Sequence, residues 1–186
     1  AAAPLGSAVV ERLRTLAMPH ADVAVEVGEH ADDHPGDRVR FLLAANPGSP
    51  LLPLNRVASG GELARSMLAL RLVLADAGGG RHGDDDGAET LVFDEVDAGI
   101  GGDAAHAVGE ALAGLGRHHQ VLVVTHLAQV AALADCQVQV SKRVEGGATF
   151  ASARVLDGEE RTEEVARMLS GTASEQALAH ARELLA

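Results

Sequence analysis

The sequence has few of the residues that build cross-linked or aromatic sites. Its 186 residues include one cysteine, Cys136, and three phenylalanines, with neither tryptophan nor tyrosine. A single cysteine excludes an internal disulfide and a zinc site built from several cysteines, and it is typical of a reducing compartment. The scarcity of aromatic rings disfavours a stacking platform for single-stranded nucleic acid. Because the hydrophobic fraction is still 47%, we expect a core of Leu, Val, Ala and Ile.

Positive charge is also scarce. The chain has 15 Lys and Arg against 27 Asp and Glu, a formal net charge of −12, and Lys142 is its one lysine. Affinity for nucleic-acid phosphates comes mainly from Lys and Arg, so another segment should carry most of any DNA contact. No apolar run approaches the ~20 residues that span a bilayer, and the amino terminus does not resemble a secretion signal. We expect a cytoplasmic protein with no membrane partner, and the start at Ala1 rather than Met suggests a partial polypeptide.

Hydrophobic patterns predict an α/β fold built from strand-to-helix units. Apolar strands are predicted at Thr90 to Phe93 and Gln120 to Thr125, followed by helices at about Asp103 to Leu115 and Leu127 to Ala134. This alternation indicates a mainly parallel sheet that helices cover on both faces.

The remaining segments predict further helices and two β-hairpins. Helices are expected at Ser7 to Met18, Ser59 to Ala77, Glu159 to Leu169 and Ser174 to Leu185, hairpins at 21–45 and 136–156, a Pro-rich connector at 46–57 and a mobile loop at 78–88. A capping box, Thr172-x-x-Glu175, is predicted to open the last helix. We expect Cys136 to be a buried small residue.

The first candidate site is the segment Ser59-Gly60-Gly61-Glu62, where a loop enters the long helix. One interpretation is a capping box, in which the Ser59 hydroxyl and the Glu62 side chain each bond a backbone N–H. This does not explain two glycines at the first helical positions, where each costs roughly 1 kcal/mol against Ala. Glycines allow close approach of another molecule, and the exposed N–H groups of a first helical turn bind anions. Both interpretations remain open.

The second candidate is a pair of acids, Asp94 and Glu95, at the end of an apolar strand. Such acids often cap the next turn, and two neighbouring carboxylates repel each other unless a cation is near. Asp94 could hold Mg²⁺ directly or through water, while Glu95 orients or deprotonates the water that attacks a phosphate. His126 follows the next strand, so we expect it to face the same space, although a structural histidine is the alternative.

The order of these motifs is specific. The segment Ser59 to Glu62, then Leu91 to Glu95, then Val124-Thr125-His126 resembles the second half of an ABC-type P-loop ATPase head: signature motif, Walker B strand with catalytic glutamate, and switch histidine. Glu62 stands where the transporters have glutamine. In this respect the segment resembles the SMC-like branch, whose members act in chromosome maintenance and DNA repair. From about residue 16 to Leu169 the chain resembles the carboxyl-terminal part of the RecN family of bacterial DNA-repair ATPases, with these stretches carrying the likeness: Asn46 to Gly48, Val57 to Arg65, Phe93 to Gly102 and Thr125 to Val130.

The resemblance implies a composite ATP site shared by two heads. Ser59, Gly60 and Gly61 would contact the terminal phosphate of ATP held by a second head, a homodimer partner. Asp94 would order Mg²⁺, and Glu95 would be the general base. Splitting the site in this way would make hydrolysis depend on head pairing, because phosphoryl transfer is mostly positioning and electrostatic stabilisation.

The same resemblance implies two further site residues and a cellular role. Asp97 would bridge the two heads, and His126 would sense the terminal phosphate. Hydrolysis would then open and close a clamp on DNA ends during double-strand break repair and recombination, as part of the SOS response to DNA damage. DNA would be contacted through the full-length parent protein.

The chain departs from this family in one respect. A complete head needs a Gly-x-x-x-x-Gly-Lys-[Ser/Thr] loop, the Walker A motif, to cradle phosphates, and the sequence contains none. The family would place that loop and a coiled-coil arm before residue 1, so residues 1–186 are interpreted as a partial head. Two alternatives remain open: a nucleotide-binding subunit of an ABC transporter, which shares the three motifs, and a non-catalytic interaction fragment.

We predict that the isolated chain does not hydrolyse ATP, because it has neither the phosphate-cradling loop nor a suitably placed lysine. A steady-state assay of the purified chain should give only background turnover. Robust hydrolysis that Glu95→Gln abolishes would overturn the half-site interpretation.

Overall fold

The computed structural model describes residues 2–29, 37–56, 59–78 and 90–186, and the chain divides into two compact units. The first unit is residues 1–125 and the second is residues 126–186. The mobile loop predicted at 78–88 lies outside the described residues, apart from Gly78, which ends a helix.

The first unit contains an antiparallel sheet, a pair of parallel strands and three helices. In chain order its elements are α1 (Ala2–Thr15), β1 (Asp22–Glu29), β2 (Asp37–Ala44), β3 (Leu52–Pro53), a 3₁₀ turn (Leu54–Arg56), α2 (Gly60–Gly78), β4 (Thr90–Asp94), α3 (Asp103–Gly116) and β5 (Gln120–Val124). Strands β1, β2 and β3 pair antiparallel in that order, and β4 pairs in parallel with β5. Together these elements match the predicted α/β class.

Two local predictions in the first unit were inaccurate. Helix α1 begins before the predicted Ser7, because Pro4 fits the first turn of a helix, where its missing N–H costs nothing. It ends at Thr15 rather than at the predicted Met18. The segment predicted as a connector contains β3, in which Pro53 pairs with Leu42 at the edge of the sheet. An edge position is where a strand tolerates proline.

The core of the first unit is aliphatic, as the composition predicts. Leu13 and Leu16 of α1, Leu68 of α2 and Val108 of α3 are fully buried. These side chains come from three helices, so the hydrophobic effect holds α1, α2 and α3 in one body. Strands β4 and β5 belong to the same unit as these three helices.

The parallel strands have one buried and one open face. Leu91 and Phe93 of β4 are buried, whereas Val92, Leu122 and Val124 on the opposite face are 66%, 51% and 62% exposed. Among the residues that the structure describes, helices cover only one face of β4 and β5, whereas the sequence pattern predicts cover on both faces. Continuous apolar sequence predicts two-sided burial, but the described elements supply a cover for one side only.

The second unit combines a β-hairpin with a pair of helices. Its elements are α4 (Ala128–Ala131), β6 (Gln137–Glu145), β7 (Ala148–Leu156), α5 (Gly158–Ser170) and α6 (Glu175–Leu184). Strands β6 and β7 are antiparallel, and the turn between them uses Gly146 and Gly147, both with positive φ, as a two-residue hairpin turn requires. Helices α5 and α6 pack through Val165, Ala166 and Ala181.

Three predictions in the second unit were wrong. Helix α4 is much shorter than the predicted span of Leu127 to Ala134. Helix α6 is capped by Ser174, whose Oγ accepts a hydrogen bond from the Ala177 N–H at 3.3 Å, and not by the capping box at Thr172. Ser174 directly precedes the first helical residue, which is the position from which a side chain can bond the free N–H groups of the first turn. Cys136 is exposed rather than buried.

No helix within the described ranges is long and apolar enough to cross a bilayer.

Candidate functional site

The segment Ser59 to Glu62 opens α2, as the sequence predicts. The Ser59 Oγ accepts a hydrogen bond from the Glu62 N–H at 3.4 Å, and the Ser59 carbonyl accepts one from the Leu63 N–H at 3.1 Å. The hydroxyl contribution to a capping box is therefore present. Because 3.4 Å is long for an N–H···O bond, capping is a weak reason for a serine at this position.

The two glycines of this segment have different surroundings. A Cβ on Gly61 would lie 2.8 Å from the carbonyl oxygen and 3.1 Å from the Cβ of Ala98. Among the described residues, a Cβ on Gly60 would meet only the Glu95 Oε2, at 3.8 Å, which is ordinary contact. Gly61 is thus required by packing within the chain. Gly60 is exposed and has no such requirement, which leaves its backbone open to a ligand.

The two acids predicted to carry chemistry lie where β4 ends. Asp94 is the last residue of the strand, and Glu95 starts a turn in which the Ala98 N–H donates to the Glu95 carbonyl at 3.0 Å. Both side chains are exposed, and Glu95 has a φ of 53°. A non-glycine residue in this left-handed region costs about 1–3 kcal/mol and persists only when its surroundings hold it. Because the Glu95 Oε2 lies 3.8 Å from the Cβ position of Gly60, the structure brings these two residues together.

The turn that follows Glu95 is anchored by buried side chains. Val96 is fully buried, and the buried carboxylate of Asp97 accepts a hydrogen bond from the Thr125 hydroxyl, directly after β5. This bond ties the turn to the end of the neighbouring strand. Asp97 is thus engaged within the chain, and its role as a bridge between heads stays a prediction.

Arg65 also holds the turn, and sequence reasoning assigned it no role. Its Nη1 donates to the Ala98 carbonyl at 3.0 Å and to the Val96 carbonyl at 3.5 Å, and its side chain is only 6% exposed. Burial lowers the pKa of the Arg65 guanidinium, and the nearby Glu62 carboxylate partly restores it. The available signal was helical spacing, because Arg65 shares a face of α2 with the buried Gly61 and Leu68.

A groove of about 470 Å³ lies between α2 and β4. Its walls are mostly apolar, with Leu63, Met67 and Val92 among them, and Gly60 and Asp94 also line it. The two motifs that the sequence singled out thus border one open space on the first unit.

Oxygen donors at the end of β4 fit a magnesium ion. Mg²⁺ binds through one or two protein carboxylates together with water and substrate phosphates, and Asp94 and Glu95 provide two exposed carboxylates side by side. Within the described ranges no three His, Cys, Asp or Glu side chains cluster as a metal site. A Mg²⁺ ion bound to a nucleotide does not require three protein side chains, because water and phosphate oxygens complete its coordination.

His126 follows β5 and is the first residue of the second unit. It is exposed, and its predicted convergence with the acids of β4 stays a prediction.

The short helix α4 that follows is held at its end by Arg161, whose Nη2 donates to the carbonyls of Ala131, Ala132 and Ala134 at 3.3, 3.2 and 2.6 Å. A cation at the carboxyl end of a helix stabilises it.

Comparison with known proteins identifies the chain's relatives. It is 51% identical over 189 residues to the DNA repair protein RecN of Deinococcus radiodurans, in an alignment that covers 100% of this chain and 31% of that protein. RecN of Streptomyces coelicolor is 45% identical over 200 residues, covering 100% of this chain and 34% of that protein. The chain corresponds to the carboxyl-terminal part of RecN. It spans about a third of the length of these RecN relatives. No protein-family model matches the sequence.

Solved structures support the same fold. The Smc head domain with a coiled coil and joint from Pyrococcus yayanosii superimposes with a TM-score of 0.58 at 20% identity, covering 87% of this chain and 28% of that one. A Smc head from Pyrococcus furiosus, bound to the carboxyl-terminal domain of ScpA, has a TM-score of 0.52 at 18% identity, covering 81% of this chain and 34% of that one. The predicted fold class, part of an ABC-type ATPase head, is confirmed.

We predict opposite outcomes for alanine at the two glycines of α2. Gly61→Ala should lower the free energy of unfolding by ~1–3 kcal/mol, because the new Cβ would collide with the Ala98 backbone. Gly60→Ala, the matched control, should leave it unchanged or raise it by up to ~1 kcal/mol through helix propensity. Urea unfolding of the chain, followed by far-UV circular dichroism, measures both. Equal losses in the two variants would contradict the contact between α2 and the turn at Ala98.

Proposed function

We propose that this chain supplies the signature motif, the Walker B strand and the catalytic glutamate of the ATPase head in a RecN-type DNA-repair protein. The observation that carries the proposal is that Gly60 leaves the first turn of α2 open to a ligand, while Asp94 and Glu95 are exposed at the end of β4. Homology to RecN and the SMC-type head fold support the assignment of these segments to an ATPase.

In the proposed reaction each residue of the first unit has a chemical task. The N–H groups at the start of α2, with the Ser59 hydroxyl, donate hydrogen bonds to the terminal phosphate, which the helix dipole also attracts. Asp94 would hold Mg²⁺, which when bound neutralises charge on the phosphates. Glu95 orients the attacking water and accepts its proton. His126 would sense the terminal phosphate of bound ATP.

The proposed reaction needs two heads. Ser59 to Glu62 of one head would face ATP held by the other, whereas Glu95 would act on ATP held by its own head. In the single chain Glu95 lies beside its own Gly60, so on pairing the exposed Glu95 side chain has to turn toward the ATP of its own head. The turn backbone can stay fixed during this step, because Val96 and Asp97 anchor it.

The wider role of the proposed parent protein follows from this ATPase. Pairing and release of the heads would open and close a clamp on DNA in the cytoplasm, at the nucleoid, during double-strand break repair and recombination in the SOS response. The net charge of −12 supports a DNA contact that is carried mostly by another segment of the parent protein. A transporter subunit is disfavoured by the identity to RecN along the whole chain.

We predict that Glu95→Gln in the full-length parent protein lowers ATP turnover by about 10²-fold or more while ATP binding persists, because the amide keeps the shape of the side chain but cannot accept the proton. Steady-state turnover and nucleotide binding measure the two effects. Glu110→Gln, an exposed carboxylate on α3, is the matched control and should leave both unchanged. Loss of ATP binding in Glu95→Gln would make Glu95 a structural residue and refute the role.

We predict that Ser59 acts across the head interface, which a mixing experiment can test. A bulky Ser59→Arg should block head pairing and turnover while single heads still bind ATP. When it is mixed with a parent protein altered at the upstream Walker A lysine, each mixed dimer contains one site with both lesions and one intact site. Partial ATPase activity should then return. If mixed dimers form and no activity returns, the action of Ser59 across the interface is refuted.

A further inference from the structure

We propose that Arg65 is a positioning residue for Glu95, which fixes the backbone of the turn at residues 95–98 against the start of α2. The inference rests on the proposed function of Glu95 as general base. It adds a residue outside the three motifs and a physical link between two of them, the signature segment and the catalytic glutamate.

The contacts of Arg65 are directed at the turn. Its Nη1 donates to the Val96 and Ala98 carbonyls, which flank Asp97 and follow directly after Glu95. The same nitrogen lies 3.2 Å from the Cβ position of Gly61. One guanidinium therefore lies beside the first turn of α2 and bonds the backbone that follows the proposed base.

The turn needs such a restraint because its first residue is strained. Glu95 has a φ of 53°, and a non-glycine residue keeps this conformation only when neighbouring contacts over-determine it. Val96 supplies a buried side chain, and Asp97 a bond to Thr125 beside β5. Arg65 supplies the polar restraint from α2, the helix on which the signature segment lies.

Packing alone does not explain an arginine at this position. The side chain is 6% exposed, and its Nε is buried with no hydrogen-bond partner among the residues that the structure describes. A methionine would fill similar space without the desolvation of a cation. What the guanidinium adds is directed hydrogen bonding to two backbone carbonyls.

This arrangement would link the two composite sites of a head dimer. The signature segment would contact ATP on the partner head, while Glu95 acts on ATP held by its own head. Because Arg65 joins the backbones of these segments, a shift of α2 on phosphate contact would be passed to the turn that carries Glu95. Arg65 itself would touch neither ATP nor the attacking water.

Kinetics of the full-length parent protein test the proposal. Arg65→Met should lower kcat by about 10–10²-fold with little change in the KM for ATP, because misplacing a catalytic group by about 1 Å has an effect of that order. Arg65→Lys keeps the charge and a terminal N–H donor, but on a shorter side chain without the planar guanidinium, so its kcat should lie in between. Arg117→Met, which removes an exposed arginine at the end of α3, is the control and should not change kcat. An unchanged kcat in Arg65→Met would overturn the proposal.

A double variant separates this proposal from a general loss of structure. In a Glu95→Gln background Arg65→Met should cause no further fall in turnover, since the base it positions is already gone, and ATP-dependent head pairing should persist. The same fold-loss in both backgrounds, or lost pairing, would overturn the positioning role. If Glu95→Gln alone leaves turnover intact, the proposed function fails instead, and the two failures are distinguishable.

Amide hydrogen exchange of the 186-residue chain tests the contact without any activity. Arg65→Met should speed exchange of the Ala98 N–H, which closes the turn onto the Glu95 carbonyl, and leave amides in the middle of α3 as protected as before. Equal protection of Ala98 in the two proteins would overturn the proposal. Faster exchange in α3 as well would show that Arg65 supports the whole unit, and would also overturn it.

Discussion

The close approach of α2 to the turn after β4 determines the geometry of the candidate site. At Gly61 the helix comes so near the Ala98 carbonyl that there is no room for a Cβ. This contact joins segments that are 37 positions apart (98 − 61), and it places the exposed start of the helix beside the carboxylate of Glu95. Gly60 and Asp94 then border the same open space. A longer side chain at residue 61 would move the start of α2 away from all of them.

Electrostatics make this arrangement incomplete by itself. Asp94 and Glu95 are exposed neighbours. The buried Arg65 directs its donors to backbone carbonyls, whereas Arg71 lines the groove that Asp94 borders. Two consecutive exposed carboxylates are an environment suited to a divalent cation rather than to a bare phosphate. The helix start supplies the attraction for an anion. In the proposed head dimer, a magnesium nucleotide on each head would offer a cation to the acids of that head and an anion to the helix start of the other.

The second unit places a different kind of restraint after His126. Helix α4 has four residues, too few for a stable helix on local interactions alone, and Arg161 of α5 holds its carboxyl end. On the hairpin side of α5, Glu164 accepts hydrogen bonds from Arg167 and Gln139, and the Arg167 bond holds the pKa of Glu164 below its ordinary value. Polar contacts thus fix the elements on both sides of α5, while an alanine-rich interface joins α5 to α6.

The sequence by itself determined the features that depend on neighbours along the chain. Helical spacing located α2, α3, α5 and α6, alternation located the hairpin strands, and motif order pointed to an SMC-like ATPase head, a fold class that the structural comparison confirms. Local patterns were less reliable where two local solutions compete, as at the start of α6, where Ser174 rather than Thr172 is the cap. The short β3 and the early end of α4 were missed for a related reason, since both depend on partners distant in sequence.

Only the tertiary structure decided which residues of the motifs serve packing and which remain open. Gly60 and Gly61 are identical in sequence terms, yet only Gly61 meets the backbone at Ala98. Arg65 looks like an ordinary helix residue until the turn at 95–98 surrounds it, and Asp97 is buried because Thr125 lies beside it. The open face of β4 and β5 is equally invisible in an apolar sequence. Each of these features is a contact between distant segments, which periodicity and spacing do not encode.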